Sequence, residues 1–116
     1  MAVYHNDVAF GNGYFATASS GGFITFATTA NAQNINAGFQ AYYTGQASSL
    51  AGIFYANNIW VAVGAGGTII KTSAGATPNS PWTVVSSGVT STLRHVSFGN
   101  GVWIAVGDGG VILRST

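Results

Sequence analysis

The chain has no cysteine and no glutamate; its only acids are Asp7 and Asp108, beside three cations, Lys71, Arg94 and Arg114. Without cysteine there is neither a disulfide framework nor a thiolate metal site. Charged residues make up 4% of the 116 positions, against ~25% in ordinary soluble domains. A net charge of +1 supplies no basic field for a phosphate backbone, so a nucleic-acid partner is not expected. With so little charge repulsion, self-association is expected instead. No apolar run in the sequence approaches the ~20 residues that span a bilayer, so membrane insertion is not expected either. The opening MAVYHNDVAF has no basic segment leading into an apolar stretch and is not read as a signal peptide. The expectation is a soluble chain; its location is left open, with secretion and a virion surface as the candidates.

Present in abundance are glycine, with seventeen residues, and aromatics, at 13%. Their placement is periodic. The segments VAFGNGYFATASSGGFITFAT from Val8, IFYANNIWVAVGAGGTIIKTS from Ile53 and VSFGNGVWIAVGDGGVILRST from Val96 align without a gap, at offsets of 45 and 43 residues. A second match, FQAYYTGQASSL from Phe39 with WTVVSSGVTSTL from Trp82, repeats the offset of 43. Within each unit, runs such as VWIAVG combine β-branched and aromatic residues, which favours strands over helices. Between the first two strands stand Asn12-Gly13, Asn57-Asn58 and Asn100-Gly101, residues that accept the positive φ of a tight type I′ hairpin. Between the second and third stand SSGG, GAGG and GDGG, ending at Gly22, Gly67 and Gly110. The unvarying glycine pair points to a backbone requirement.

A period in the forties with four short strands per unit predicts an all-β fold, a β-propeller. The chain reads as a single repeat domain, 1–116, divided into units 1–45, 46–88 and 89–116, the last without its outer strand. The apolar–x–GNG–x–W–x–A–V–G–x–G–G pattern, followed by Ser or Thr and a Trp opening the outer strand, resembles the Asp-box (bacterial neuraminidase repeat) propellers, and more closely the small oligomeric propeller lectins. In place of the box aspartate stand Thr72, Ser73, Ala74 and Gly75. The resemblance implies a closed ring of roughly four to eight blades. Two chains of three blades make six, and a two-fold homodimer is therefore the favoured partner state; a stretch of a longer propeller is the other reading.

The chemistry is sparse. Two acids give no built pair for glycoside hydrolysis, and the arginine cluster of the sialidases that share the repeat has no counterpart in Arg94 and Arg114. No nucleophile elbow appears. No enzyme, catalytic residue, metal ligand or cofactor is expected. His5, Asp7 and His95 lie near one another in the repeat alignment and are read as polar residues leading into inner strands rather than as metal ligands. Every glycine cluster is followed by a strand, not by the helix N-terminus a phosphate loop needs.

A surface of Asn, Ser, Thr, Gln and aromatic rings with few charges suits neutral sugars, whose hydroxyls pair with neutral donors and acceptors and whose ring faces pack on Trp or Tyr. Lectin activity towards glycans, multivalent at sites between blades, is the function expected. A structural or interaction module of a phage or virion surface is the alternative. The sites are placed where the second turn meets the link to the next unit: Ser19, Ser20, Gln46, Ser48, Ala65, Thr90, Ser91, Arg94, His95 and Asp108, with Trp60 and Trp103 as stacking surfaces. Tyr42 and Tyr43 are the aromatics that the repeat does not require. In the third turn Asp108 alone lacks an explanation from the repeat.

Overall fold

Short runs of β-branched and aromatic residues between Asn/Gly turns make each repeat an antiparallel meander. The computed structural model describes residues 4–28, 40–46, 48–78 and 80–116. Sheet one runs in the order β1 (His5–Gly11), β2 (Tyr14–Ser19), β3 (Phe23–Thr28), β4 (Gln40–Tyr43). Sheet two runs β5 (Leu50–Ala56), β6 (Ile59–Gly64), β7 (Thr68–Lys71), β8 (Thr83–Val85). Sheet three has β9 (Leu93–Gly99), β10 (Val102–Gly107) and β11 (Ile112–Ser115), with β11 at its edge. The strands fall as four, four and three, as the repeat implies. Phe39, read as the start of an outer strand, lies outside the described residues; its counterpart Trp82 directly precedes β8.

The turns take the conformations that their residues allow. Asn12, Asn57, Asn58 and Asn100 all have positive φ, between 49° and 67°, and Gly13 and Gly101 complete the first turns at 80° and 79°. Asn58 fills the place of a glycine because its short amide tolerates the left-handed region. Each second turn is a short 3₁₀ turn whose two glycines both have positive φ. Aromatic pairs recur at matching positions on the first two strands of each sheet. Phe10–Phe15, Tyr55–Trp60 and Phe98–Trp103 stand 4.8, 4.9 and 4.9 Å apart at similar tilts.

The core lies between sheets rather than within one. Along β6, successive side chains point to opposite faces. Trp60 and Ala62, with Leu50, Ile53 and Ile70, pack on Ala16, Ala18, Ile24 and Phe26 of sheet one. Val61 and Val63 turn the other way, onto Leu93, Val96 and Ala105 of sheet three. Sheet two is thus covered on both faces. Its front, turned to sheet one, corresponds in the repeat to Val8, Phe10, Phe15, Thr17 and Thr25 of sheet one. Its back, turned to sheet three, corresponds to Ile104, Val106 and Ile112 of sheet three. Among the described residues neither of these two outer faces meets another sheet, and Val8, Phe10 and Ile112 are 58%, 53% and 70% exposed.

Candidate functional site

One irregularity recurs in every sheet. The pairing of first and second strands skips a residue between His5 and Asp7, between Leu50 and Gly52, and between Leu93 and His95. The extra residue of each bulge is Asn6, Ala51 or Arg94. Bulges re-aim a side chain out of the ladder, and here they aim at the seam between sheets. Asn6 Nδ2 donates to the Leu50 carbonyl (2.8 Å), so sheet one reaches across to the bulge of sheet two. Next to it, the Asp7 carboxylate accepts from its own strand at Val8 N (2.9 Å) and from sheet two at Ile53 N (3.0 Å). Asp7 is therefore a seam residue, and the described residues hold no cluster of His, Asp or Glu fit for a metal.

In sheet three the bulge residue has no described sheet beside it and turns back. Arg94 Nε donates to Asp108 Oδ1 (2.8 Å), and its terminal nitrogen to Oδ2 (3.0 Å), forming a bidentate pair on the second turn. This answers for Asp108: it holds the guanidinium of a bulged arginine at an open seam. Hydrogen bonding to Arg94 holds the Asp108 carboxyl below its ordinary value, and the same bond, with the attraction of the carboxylate, raises Arg94.

At the opposite end of the molecule, the outer face of sheet one carries a polar cluster. Thr17 Oγ1 is within hydrogen-bonding distance of His5 Nδ1 (3.2 Å), Ser19 Oγ (3.0 Å) and Thr25 Oγ1, and Ser19 Oγ lies 3.0 Å from His5 Nδ1. The same repeat positions hold Leu50, Ala62 and Ile70 in sheet two, and Leu93, Ala105 and Leu113 in sheet three. Wherever a described sheet covers this face it is apolar; where none does, it bears hydroxyls and an imidazole. Aromatic rings flank the cluster on both sides. Phe10 with Phe15 stand at one end, and Phe23 with an exposed Tyr43 (5.3 Å between centroids) at the other. Ser19 and His5 have the spacing of a nucleophile and its base, yet Ser19 is fully buried and Asp7 is committed to backbone N–H groups. The cluster can exchange hydrogen bonds with a ligand through His5 and Thr17 rather than attack one.

The other expected contact residues divide into three groups. The second turn packs on the segment that enters its own unit: Ser20 Oγ accepts from Tyr4 N, and Ala65 N donates to Ser49 O. Gln46 lies directly behind Gly22, where an added Cβ would sit 1.4 Å from the Gln46 carbonyl oxygen. Ser48 and Ser91 are half-buried in the two links, while Thr90 and His95 are exposed. Trp60 requires correction as a stacking surface, because it is 0% exposed and serves as core. Ser19 is likewise sealed, and acts through its neighbours. Trp103 is half-buried, meeting Phe54 edge to face at 6.2 Å. Tyr42 packs against the core, whereas Tyr43 stays exposed. Thr17 and Thr25 went unread in the sequence, although a signal was there: hydroxyls stand at positions where both sister repeats carry Ala and Ile or Leu.

The class of protein is therefore an all-β repeat of three antiparallel sheets stacked face to face. No family model matches the chain, and no curated protein matches it. Among solved structures it is similar to one titled "Crystal structure of the computationally designed Ika4 protein", with a TM-score of 0.51 and 14% identity, covering 98% of this chain and 90% of that one. At that identity the likeness concerns the fold alone.

Proposed function

We propose that this chain is a carbohydrate-binding protein of propeller type, in which two copies close a six-sheet ring and bind neutral sugars at the two seams between copies. The observation that carries this reading is the His5–Thr17–Ser19–Thr25 cluster, flanked by exposed aromatics, at the one seam position where the repeat abandons apolar residues. Closing the ring sets the outer face of sheet three (Ile104, Val106, Ile112) against the outer face of sheet one of the second copy. It also brings the bulged Arg94, with Asp108, to the place that Asn6 occupies at the seam within the chain. Each sugar site then combines Ser20, His5 and Thr17 of one copy with Arg94, His95 and Asp108 of the other. Neutral hydroxyls and a half-exposed ion pair suit sugar hydroxyls, and Tyr43 supplies a ring for stacking. Two sites on one rigid particle raise avidity on a glycan surface.

The test is a glycan array and calorimetry on protein whose solution mass has been measured. A dimer that binds a neutral glycan, and loses binding on Thr17→Val while remaining a dimer, is the expected result. A folded dimer that binds no glycan removes the lectin and leaves an assembly module, in keeping with 4% charge and an apolar outer face. A monomer at all concentrations removes the two-copy seam.

A further inference from the structure

Between Asp7 and Lys71 the chain carries no Asp, Glu, Lys or Arg, and proline first occurs at Pro78. Within this neutral stretch lies β4, the outermost strand of sheet one, which reads Gln-Ala-Tyr-Tyr. Thr44 N donates to the Gly22 carbonyl (3.1 Å), and β3 pairs with β4 in the register Phe23↔Tyr43, Ile24↔Tyr42, Thr25↔Ala41, Phe26↔Gln40. In an antiparallel pair every second residue bonds its partner. Gln40 and Tyr42 therefore bond β3, while the peptide groups of Ala41 and Tyr43 turn outward. No described strand lies on that edge. Both outward residues are exposed, Tyr43 with its ring 5.3 Å from that of Phe23. Native sheets commonly blunt such an edge with a proline or a cation. The matching edge of sheet two has both: Pro81 shortly precedes β8, and Lys71 pairs with its Thr83. β4 has neither.

We infer that β4 is a self-association edge, through which two copies join antiparallel about a two-fold axis so that their first sheets run on as one. Ala41 of each copy pairs with Tyr43 of the other, and Tyr42 meets its own equivalent at the axis. Both pairs exchange N–H···O bonds, so the outward donors and acceptors of both residues are satisfied together. Two properties of the edge select a second copy as the occupant. The row is self-complementary, because the large Tyr43 lies against the small Ala41 on either side of the axis. It is also neutral well beyond the strand itself, so identical edges meet without repulsion, and a charged partner finds no counter-charge. The contact is made by backbone at the outer edge of a complete four-stranded unit. It involves no seam, and stands or falls apart from ring closure.

Amide hydrogen exchange of the whole chain, read residue by residue over a dilution series, tests the pairing. In dilute solution Gln40 and Tyr42 should exchange slowly and Ala41 and Tyr43 fast. On concentration, Ala41 and Tyr43 should slow by about tenfold or more, while Gln40 and Tyr42 change little. Sedimentation of the same samples should show an association step that Ala41→Pro lacks. That substitution removes one outward N–H and no bond to β3, the place where an edge strand accepts proline. Ala41→Lys keeps the N–H but sets two ammonium groups diagonally across the axis. Its association should be lost at low salt and return as salt screens the pair. Ala41 and Tyr43 amides that stay fast at every concentration overturn the proposal, as do amides equally protected at every dilution. An association step that survives unchanged in both variants overturns it too, and leaves ring closure as its source.

Discussion

The seam between sheets one and two and the seam between sheets two and three are built from the same repeat, yet they are held together differently. In the first, side chains do the bridging: Asn6 and Asp7 reach across to Leu50 and Ile53, and the Tyr55 ring lies on Gly11. Trp82 then seals the outer end. In the second, Ala51 and Gly52 take the places of Asn6 and Asp7, and the backbones approach directly; a Cβ on Gly52 would lie 2.9 Å from the Arg94 carbonyl oxygen. Among the described residues its outer end stays open as a cleft beside β11. A repeat thus specifies which faces meet, while single substitutions decide whether polar bridges, bare backbone or a later strand secures them.

Mutations at matched positions probe this contrast, and the largest effect is expected at the tryptophans. Trp60→Ala should cost about 3–5 kcal/mol in a denaturant titration, as for a fully buried aromatic, while Trp103→Ala, at the edge of the cleft, should cost about half as much. Equal costs would show that the second seam is as well sealed as the first. The matched glycines come next. Gly67→Ala and Gly110→Ala share a left-handed strain of roughly 1–2 kcal/mol. Gly67→Ala also drives a methyl to 2.0 Å from the Val89 carbonyl oxygen, so its melting temperature should fall much further than that of Gly110→Ala.

Asp7→Ala leaves the buried Ile53 N–H without its acceptor and should cost about 1–3 kcal/mol. Gly52 has no side chain to lose, so no mutation at the second seam mimics this loss. The smallest effect is expected at the open end. Asp108→Asn removes an exposed ion pair and should barely move the melting temperature at neutral pH. Because Arg94 lowers the folded-state pKa of Asp108, the contribution of the pair is present above the ordinary carboxylate range and vanishes as pH falls through the depressed value. Melts of the parent and of Asp108→Asn should therefore converge on acidification; a gap that widens in acid would mean Asp108 has another partner.

The period, the strand count and the turn geometry could all be read from residue types, because they are local. Asn and Gly at a fixed offset admit only a few backbone conformations, and alternation along VWIAVG commits successive side chains to opposite faces. The roles of residues at equal repeat positions could not be read that way. Phe15, Trp60 and Trp103 look alike in the alignment, yet one lies on an outer face, one is fully buried and one borders a cleft. Asp7 meets Ile53 N 46 residues away, and Asp108 meets Arg94 only because a bulge swings the arginine out of its ladder. Local pattern decides which way a side chain points. What it meets depends on the next sheet, and only the packed chain brings that sheet into place.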